Sequence, residues 1–103
     1  MTDHPSSTQK YRTPEGQVYV TIATDPTWIG LSCGKHGTQA AVIGDRLAAV
    51  CGMALRSGLS PHKLVACLVD TAHERSPRDR NNGMTALSIP DALGLALRQE
   101  LHL

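Results

Sequence analysis

Apolar and polar side chains alternate along "QVYVTIAT" (residues 17–24), with β-branched residues frequent, as in a strand with one buried face. "DPT" turns the chain, and "WIGLSCG" (28–34) reads as a second strand, so the pair predicts an antiparallel hairpin. From Thr38 to Ser57 the period lengthens to three and four. Ile43, Leu47, Val50, Cys51, Ala54 and Leu55 then fall on one stripe of an amphipathic helix, with Gly58 suited to the left-handed position that closes it. "SPHKLVACLVD" starts a second helix, with Ser60 as N-cap, Pro61 in the first position, and Leu64, Val65, Leu68, Val69 and Ala72 facing inward. Residues 74–87, "ERSPRDRNNGMTAL", show no helical period. "SIPDALGLALRQEL" then predicts a third helix capped by Ser88, with Pro90 in its first turn and Asp91 facing the helix dipole.

These elements predict an α+β domain: an antiparallel β-hairpin packed by three helices, completed by oligomerisation. Two strands alone are marginal and leave both edges open. Ala40, Ala41, Ala48 and Ala49 of the first helix would let a partner approach, so the expectation is a homo-oligomer, at least a dimer. Residues 1–16, rich in Ser, Thr, Pro and charge, read as a flexible N-terminal arm, and 17–103 as a single domain.

Composition narrows the function classes. With no Phe, one Trp and two Tyr, the core must be aliphatic. A net charge of +1 and a pI near 7.8 give no footprint for general nucleic-acid binding. No apolar run approaches the ~18–20 residues of a membrane span, and "MTDHPSSTQKYRTPEG" is not a signal peptide, so a soluble cytoplasmic protein is expected. Cys33, Cys51 and Cys67 are odd in number and lack C-x-x-C spacing, which suits free thiols in a reducing compartment.

The chemistry-bearing stretch is "LSCGKHGT" (31–38). Cys33 and His36 are a C-x-x-H pair without the second pair that a structural zinc needs, and His62 and His73 sit at opposite ends of the second helix, so no metal is expected. As a thiol beside an imidazole the same pair lacks an orienting carboxylate nearby, so no catalytic set and no cofactor are expected either. "GKHGT" fits a phosphate site better. Gly34 and Gly37 permit close backbone approach, Lys35 supplies a cation with His36 beside it, and Thr38 opens a helix whose N–H groups point at the turn. It lacks the spacing of a Walker loop or a dinucleotide fingerprint, and spacing alone favours a plain turn with Thr38 as cap.

A second polar set lies in the long loop: Arg75, Arg78, Arg80, Asn81, Asn82 and Thr85, leading to the helix start at Ser88 and Asp91. Arginine forks and amides suit phosphates and base edges, and loops of this length are uncommon in small domains unless functional or disordered. Two helix starts fed by polar loops bring an anionic small ligand level with the plain-turn reading. Its expected contacts are Lys35, His36, Gly37 and Thr38 on one side, with Arg78, Arg80, Asn82, Thr85, Ser88 and Asp91 on the other.

"GKHGT", "RLAAV", "ALRSGLSP", "LVACLVD" and "SIPDAL", in this order over residues 18–98, resemble the TSCPD domain. That domain occurs at the C-terminus of B12-dependent ribonucleotide reductases and as small stand-alone proteins. The Thr-Ser-Cys-Pro-Asp signature of the family corresponds here to "ALSIPD". Ser88, Pro90 and Asp91 are kept, while Ile89 replaces the cysteine, which sets aside any thiol or metal role tied to it. The organisation is also similar to that of phage anti-defence sponges, which bind nucleotide signals of bacterial immunity without hydrolysing them. These resemblances imply non-catalytic binding of a small nucleotide ligand, in the host cytoplasm if the chain is phage-encoded. The alternative they imply is an accessory or regulatory module associated with ribonucleotide reductase.

Overall fold

The computed structural model describes residues 6–23, 28–33, 38–72, 76–77 and 84–103. Three strands, β1 (Ser6–Thr13), β2 (Gly16–Ala23) and β3 (Ile29–Cys33), precede three helices, α1 (Gln39–Arg56), α2 (Pro61–Leu68) and α3 (Ile89–Glu100). The strands form one antiparallel sheet in the order β1-β2-β3. The fold is therefore α+β, and the hairpin expected from residues 17–34 is its β2–β3 pair.

The first correction lies in the arm. From Ser6 onward the expected flexible segment is an edge strand, paired with β2 along its full length from Ser6↔Ala23 to Thr13↔Gly16. A tight turn joins the two: the Thr13 hydroxyl accepts from the Glu15 N–H at 3.1 Å and donates to the Gly16 carbonyl at 2.8 Å. Gly16 has φ +111°, a conformation that glycine adopts without strain. The other edge of β1 is also used. Arg12 N–H donates to the Met84 carbonyl at 2.9 Å, and Ala86 N–H donates to the Arg12 carbonyl at 2.8 Å.

One sheet face carries Tyr11, Val18, Val20, Ile22, Ile29, Leu31 and Cys33, all buried beneath the helices. The other carries Thr8, Lys10, Arg12, Gln17, Tyr19, Thr21 and Ser32. α3 lies across β1 and β2 and beneath α2. It is covered on nearly all sides, with Ile89 and every residue from Asp91 to Leu97 buried. That all-round burial explains its apolar run, since a helix between two layers has no wet face.

α1 is the second correction. Its buried face is Gly44, Ala48, Cys51 and Gly52, whereas Ile43 and Val50, expected on the inner stripe, are 57% and 59% exposed. The reason is steric: a Cβ at Gly44 would lie 2.8 Å from Leu31 Cδ2. Small residues at i, i+4 and i+8 let the α1 backbone settle onto β3, and the larger apolar side chains are left outside. Ala48, expected to admit a partner subunit, is spent on this internal contact.

The helix ends follow the expected signals with two exceptions, one being that α2 stops at Leu68, so Val69 and Ala72, expected on its inner stripe, lie beyond it and Ala72 is exposed. Thr38 Oγ1 accepts from Ala41 N–H at 3.1 Å, Ser88 Oγ accepts from Asp91 N–H at 3.1 Å, and Gly58 has φ +99° after α1. Ser60 holds the N-cap position of α2, but its side chain makes no capping bond.

Candidate functional site

A cleft of about 270 Å³ opens where α1 and α3 begin. α1 contributes Ala40, Ile43, Gly44 and Leu47, α3 contributes Ser88, Ile89 and Pro90, and the chain after α2 contributes Thr71 and Ala72. Glu15, from the β1–β2 turn, completes the lining, with its Oε2 atom buried. The interior is mainly apolar, with hydroxyls and one carboxylate at its margin.

The α3 wall is held by a dense set of bonds around Asp91, which is 0% exposed. Its Oδ1 accepts from Asp70 N–H at 2.7 Å and its Oδ2 from Leu87 N–H at 2.8 Å. Ser88 Oγ donates to the Thr71 carbonyl at 2.6 Å, Thr71 Oγ1 to the Leu68 carbonyl at 2.9 Å, and Ser76 Oγ to the Leu87 carbonyl. The segment leaving α2 and the segment entering α3 are thus tied together through Asp91 and Ser88. Asp70, at φ 64°, turns the chain sharply at this seam.

This arrangement engages two of the expected ligand contacts, Asp91 and Ser88, in bonds within the domain. Asp91 commits both carboxylate oxygens to backbone donors deep inside the domain, which gives it a structural role. Ser88 is likewise occupied in capping and bridging, although it still forms part of the cleft wall. Thr85 lies beside β1, in a parallel bridge with Arg12. Thr38 caps the helix that carries the opposite wall. Lys35, His36, Gly37, Arg78, Arg80 and Asn82 lie outside the described residues, as do Gly34, Arg75, Asn81 and His73.

Glu15 and the Thr71–Ala72 pair were not visible as site residues in the sequence. Glu15 enters the site only because β1 folds back on β2, and no apolar pattern announces β1. The "TPEG" turn itself was the available signal, since a Pro-x-Gly sequence marks a reversal.

Burial also sets the state of the nearby thiol. Desolvation pushes the Cys33 thiol above its ordinary range, and the Glu15 charge adds to the shift. Cys33 is therefore a protonated, weakly nucleophilic group at neutral pH. Its Sγ and the Ile89 Cγ2 lie 3.8 and 3.4 Å from where a Gly44 Cβ would stand, so position 89 is an apolar plug between α1, β3 and α3. Tyr11, beneath α3, is raised chiefly by burial; Arg98 pulls it down and Asp91 pushes it further up. Among the described residues no three His, Cys, Asp or Glu side chains gather closely enough to hold a metal ion. No helix among them is long and apolar enough to cross a membrane.

Fold and cleft together define a small α+β domain whose first and last helices open onto a shared pocket. The chain belongs to the TSCPD-domain family, whose model matches residues 2–101, β1 included. Neither a curated protein nor a solved structure matches it significantly.

Proposed function

We propose that the chain is a small-nucleotide-binding domain that holds its ligand without transforming it, as a homo-oligomer, and that it sequesters a signalling nucleotide. The observation that carries this reading is the convergence of two helix starts on one apolar cleft. Behind the Thr38 and Ser88 caps the N–H groups of Gln39, Ala40 and Ile89 lack intrahelical acceptors, and both helix starts bring a positive dipole end to the cleft wall. A nucleobase fits the apolar interior between Ile43, Leu47, Ile89 and Pro90, with Glu15 as acceptor for an amino or ring N–H group. The phosphates belong nearer the helix starts than the Glu15 margin, where a carboxylate would repel them. Lys35, three residues before the Thr38 cap, and Arg80, in the loop before α3, are the cations assigned to them. Holding without turnover is supported by the chemistry of the described groups: the hydroxyls of Thr38 and Ser88 are engaged in caps, and the Cys33 thiol stays protonated.

A thermal-shift screen over linear and cyclic nucleotides tests the reading. Saturation at about 100 times Kd adds about 2.7 kcal/mol, or roughly 10–20 °C in Tm for a domain this small. Ligand released by heat should be chromatographically unchanged. A charged hydrogen bond is worth about 1.5–3 kcal/mol, so Lys35→Ala or Arg80→Ala should each weaken binding by about one to two orders of magnitude while the fold survives. A screen in which no nucleotide moves Tm refutes nucleotide binding, and a chemically altered released ligand refutes simple sequestration.

A further inference from the structure

We infer that the outer face of α1 is a self-association surface, on which a second copy of this chain docks its own α1 antiparallel across a two-fold axis. This names the partner surface behind the oligomer proposed above, but its grounds are independent of any ligand.

Val42, Val50 and Met53 protrude from α1 opposite its buried small-residue face, each 56–59% exposed, while Ile43 stands on the flank that lines the cleft. Three large aliphatic side chains left wet on the outer face of one 18-residue helix are unusual in a chain of 11.0 kDa. Beside this ridge, along the β3 flank, runs a groove of about 290 Å³. Its walls include Trp28, 55% exposed, and Met53, while Gly30, Ala49 and Gly52 keep it open. A ridge beside a groove on the same face is what a two-fold contact requires, because each copy offers the ridge that the other's groove accepts.

The charges on this face also select a copy of the same chain. Arg46 projects near the middle of the outer face, and its Nη2 lies 2.6 Å from Asp45 Oδ2 on the groove side. The pair leaves the arginine methylenes as apolar cover. Antiparallel helices bring two such pairs close to the axis, where each Asp45 finds the other copy's Arg46 as well as its own. A partner bearing a single sign of charge would oppose one member of the pair. Area decides the last point. With Trp28 and the stem of Arg46, Val42, Val50 and Met53 make five side chains of on the order of 150–200 Å² each, more than half exposed, which offer roughly 500 Å² per copy. Two copies then remove about 1,000 Å², the floor for a biological interface, and rim residues raise it toward the ~1,200–2,000 Å² of stable ones.

Sedimentation of the ligand-free protein at micromolar concentration tests the surface without reference to nucleotides. The parent should run at twice 11.0 kDa. Val50→Glu and Met53→Glu should each run as the single chain with an unchanged circular dichroism spectrum, because both side chains already face water. Tyr19→Glu, on the open sheet face, should remain paired. A parent that runs only as the single chain overturns the inference. So does a folded Val50→Glu or Met53→Glu protein that stays paired, or a Tyr19→Glu protein that separates. Should one of the two α1 variants unfold, the other decides.

Discussion

Asp91→Ala isolates the bonds that hold the α3 wall of the cleft. In the parent both carboxylate oxygens accept from backbone N–H groups, those of Asp70 and Leu87, at 2.7 and 2.8 Å, and the residue has no exposed surface. Alanine removes both acceptors and leaves two part-buried N–H donors, those of Asp70 and Leu87, without them, at about 1–3 kcal/mol each. Part of that loss is offset, because the buried carboxylate no longer has to be desolvated. The balance is a destabilisation of about 3–4 kcal/mol, a large share of the 5–15 kcal/mol typical of a domain. With about 4–8 °C of Tm per kcal/mol at this size, the expected fall is roughly 12–30 °C. Urea unfolding followed by circular dichroism measures the free energy directly, and Asp91→Asn supplies the control. The amide keeps the shape and one acceptor but turns an NH₂ toward the second donor, so it should lose less than alanine and more than nothing. A midpoint for Asp91→Ala within about 0.5 kcal/mol of the parent, the usual range for surface changes, would refute the structural role assigned to this carboxylate.

Three further outcomes follow from the packing. Gly94→Ala should destabilise by about 1–3 kcal/mol although alanine is the better helix former by about 1 kcal/mol. Its Cβ would meet Val69 Cγ1 at 2.8 Å and Val69 N at 3.0 Å, and a thermal melt at or above the parent's would contradict that contact. Titration with a thiol reagent should find Cys67 fast and Cys33 and Cys51 slow until denaturant is added, since only Cys67 is exposed; three equal rates would refute it. The raised thiols of Cys33 and Cys51 also set a pH dependence. In the unfolded chain they lose protons near the ordinary value of 9.0, before the folded protein does, so their contribution is whole below that pH and lost as pH rises past it. The urea midpoint should therefore fall as pH rises from about 8 past 9.0, and a midpoint flat across that rise would count against it.

The helices were legible because their ends carry side chains with one local task. Thr38, Gly58, Ser88 and Pro90 mark starts and stops whatever the tertiary setting, and the observed bounds follow them. The face of α1 was not legible, because hydrophobic pattern alone assumes that the largest apolar residues lie inside. Gly44, Ala48 and Gly52 reverse this by making close approach to β3 the tighter packing, a fact about distance that no single-chain periodicity contains. β1 was missed for a related reason: among "SSTQKYRT" only Tyr11 enters the core, and the strand is secured by backbone bonds to β2 and to Met84 and Ala86. As for the site, the helix starts could be read from caps and polar loops. The buried Oε2 of Glu15 and the burial of Asp91 depend on which segments meet.

The short ladder between Arg12 and residues 84–86 makes the chain's own synthesis part of its folding problem. β1 leaves the ribosome before the helices, yet its second neighbour is made about 70 residues later, several seconds at the usual elongation rates. At equilibrium this separation matters little, since closing so long a loop costs only about 2 kcal/mol more than closing a five-residue turn. The rate is another matter, because distant pairings slow the search. Until α3 arrives, Val18 and Val20 of the nascent hairpin lack the helix that covers them. The interval before residue 100 is made is thus when the young chain is most exposed to wrong partners.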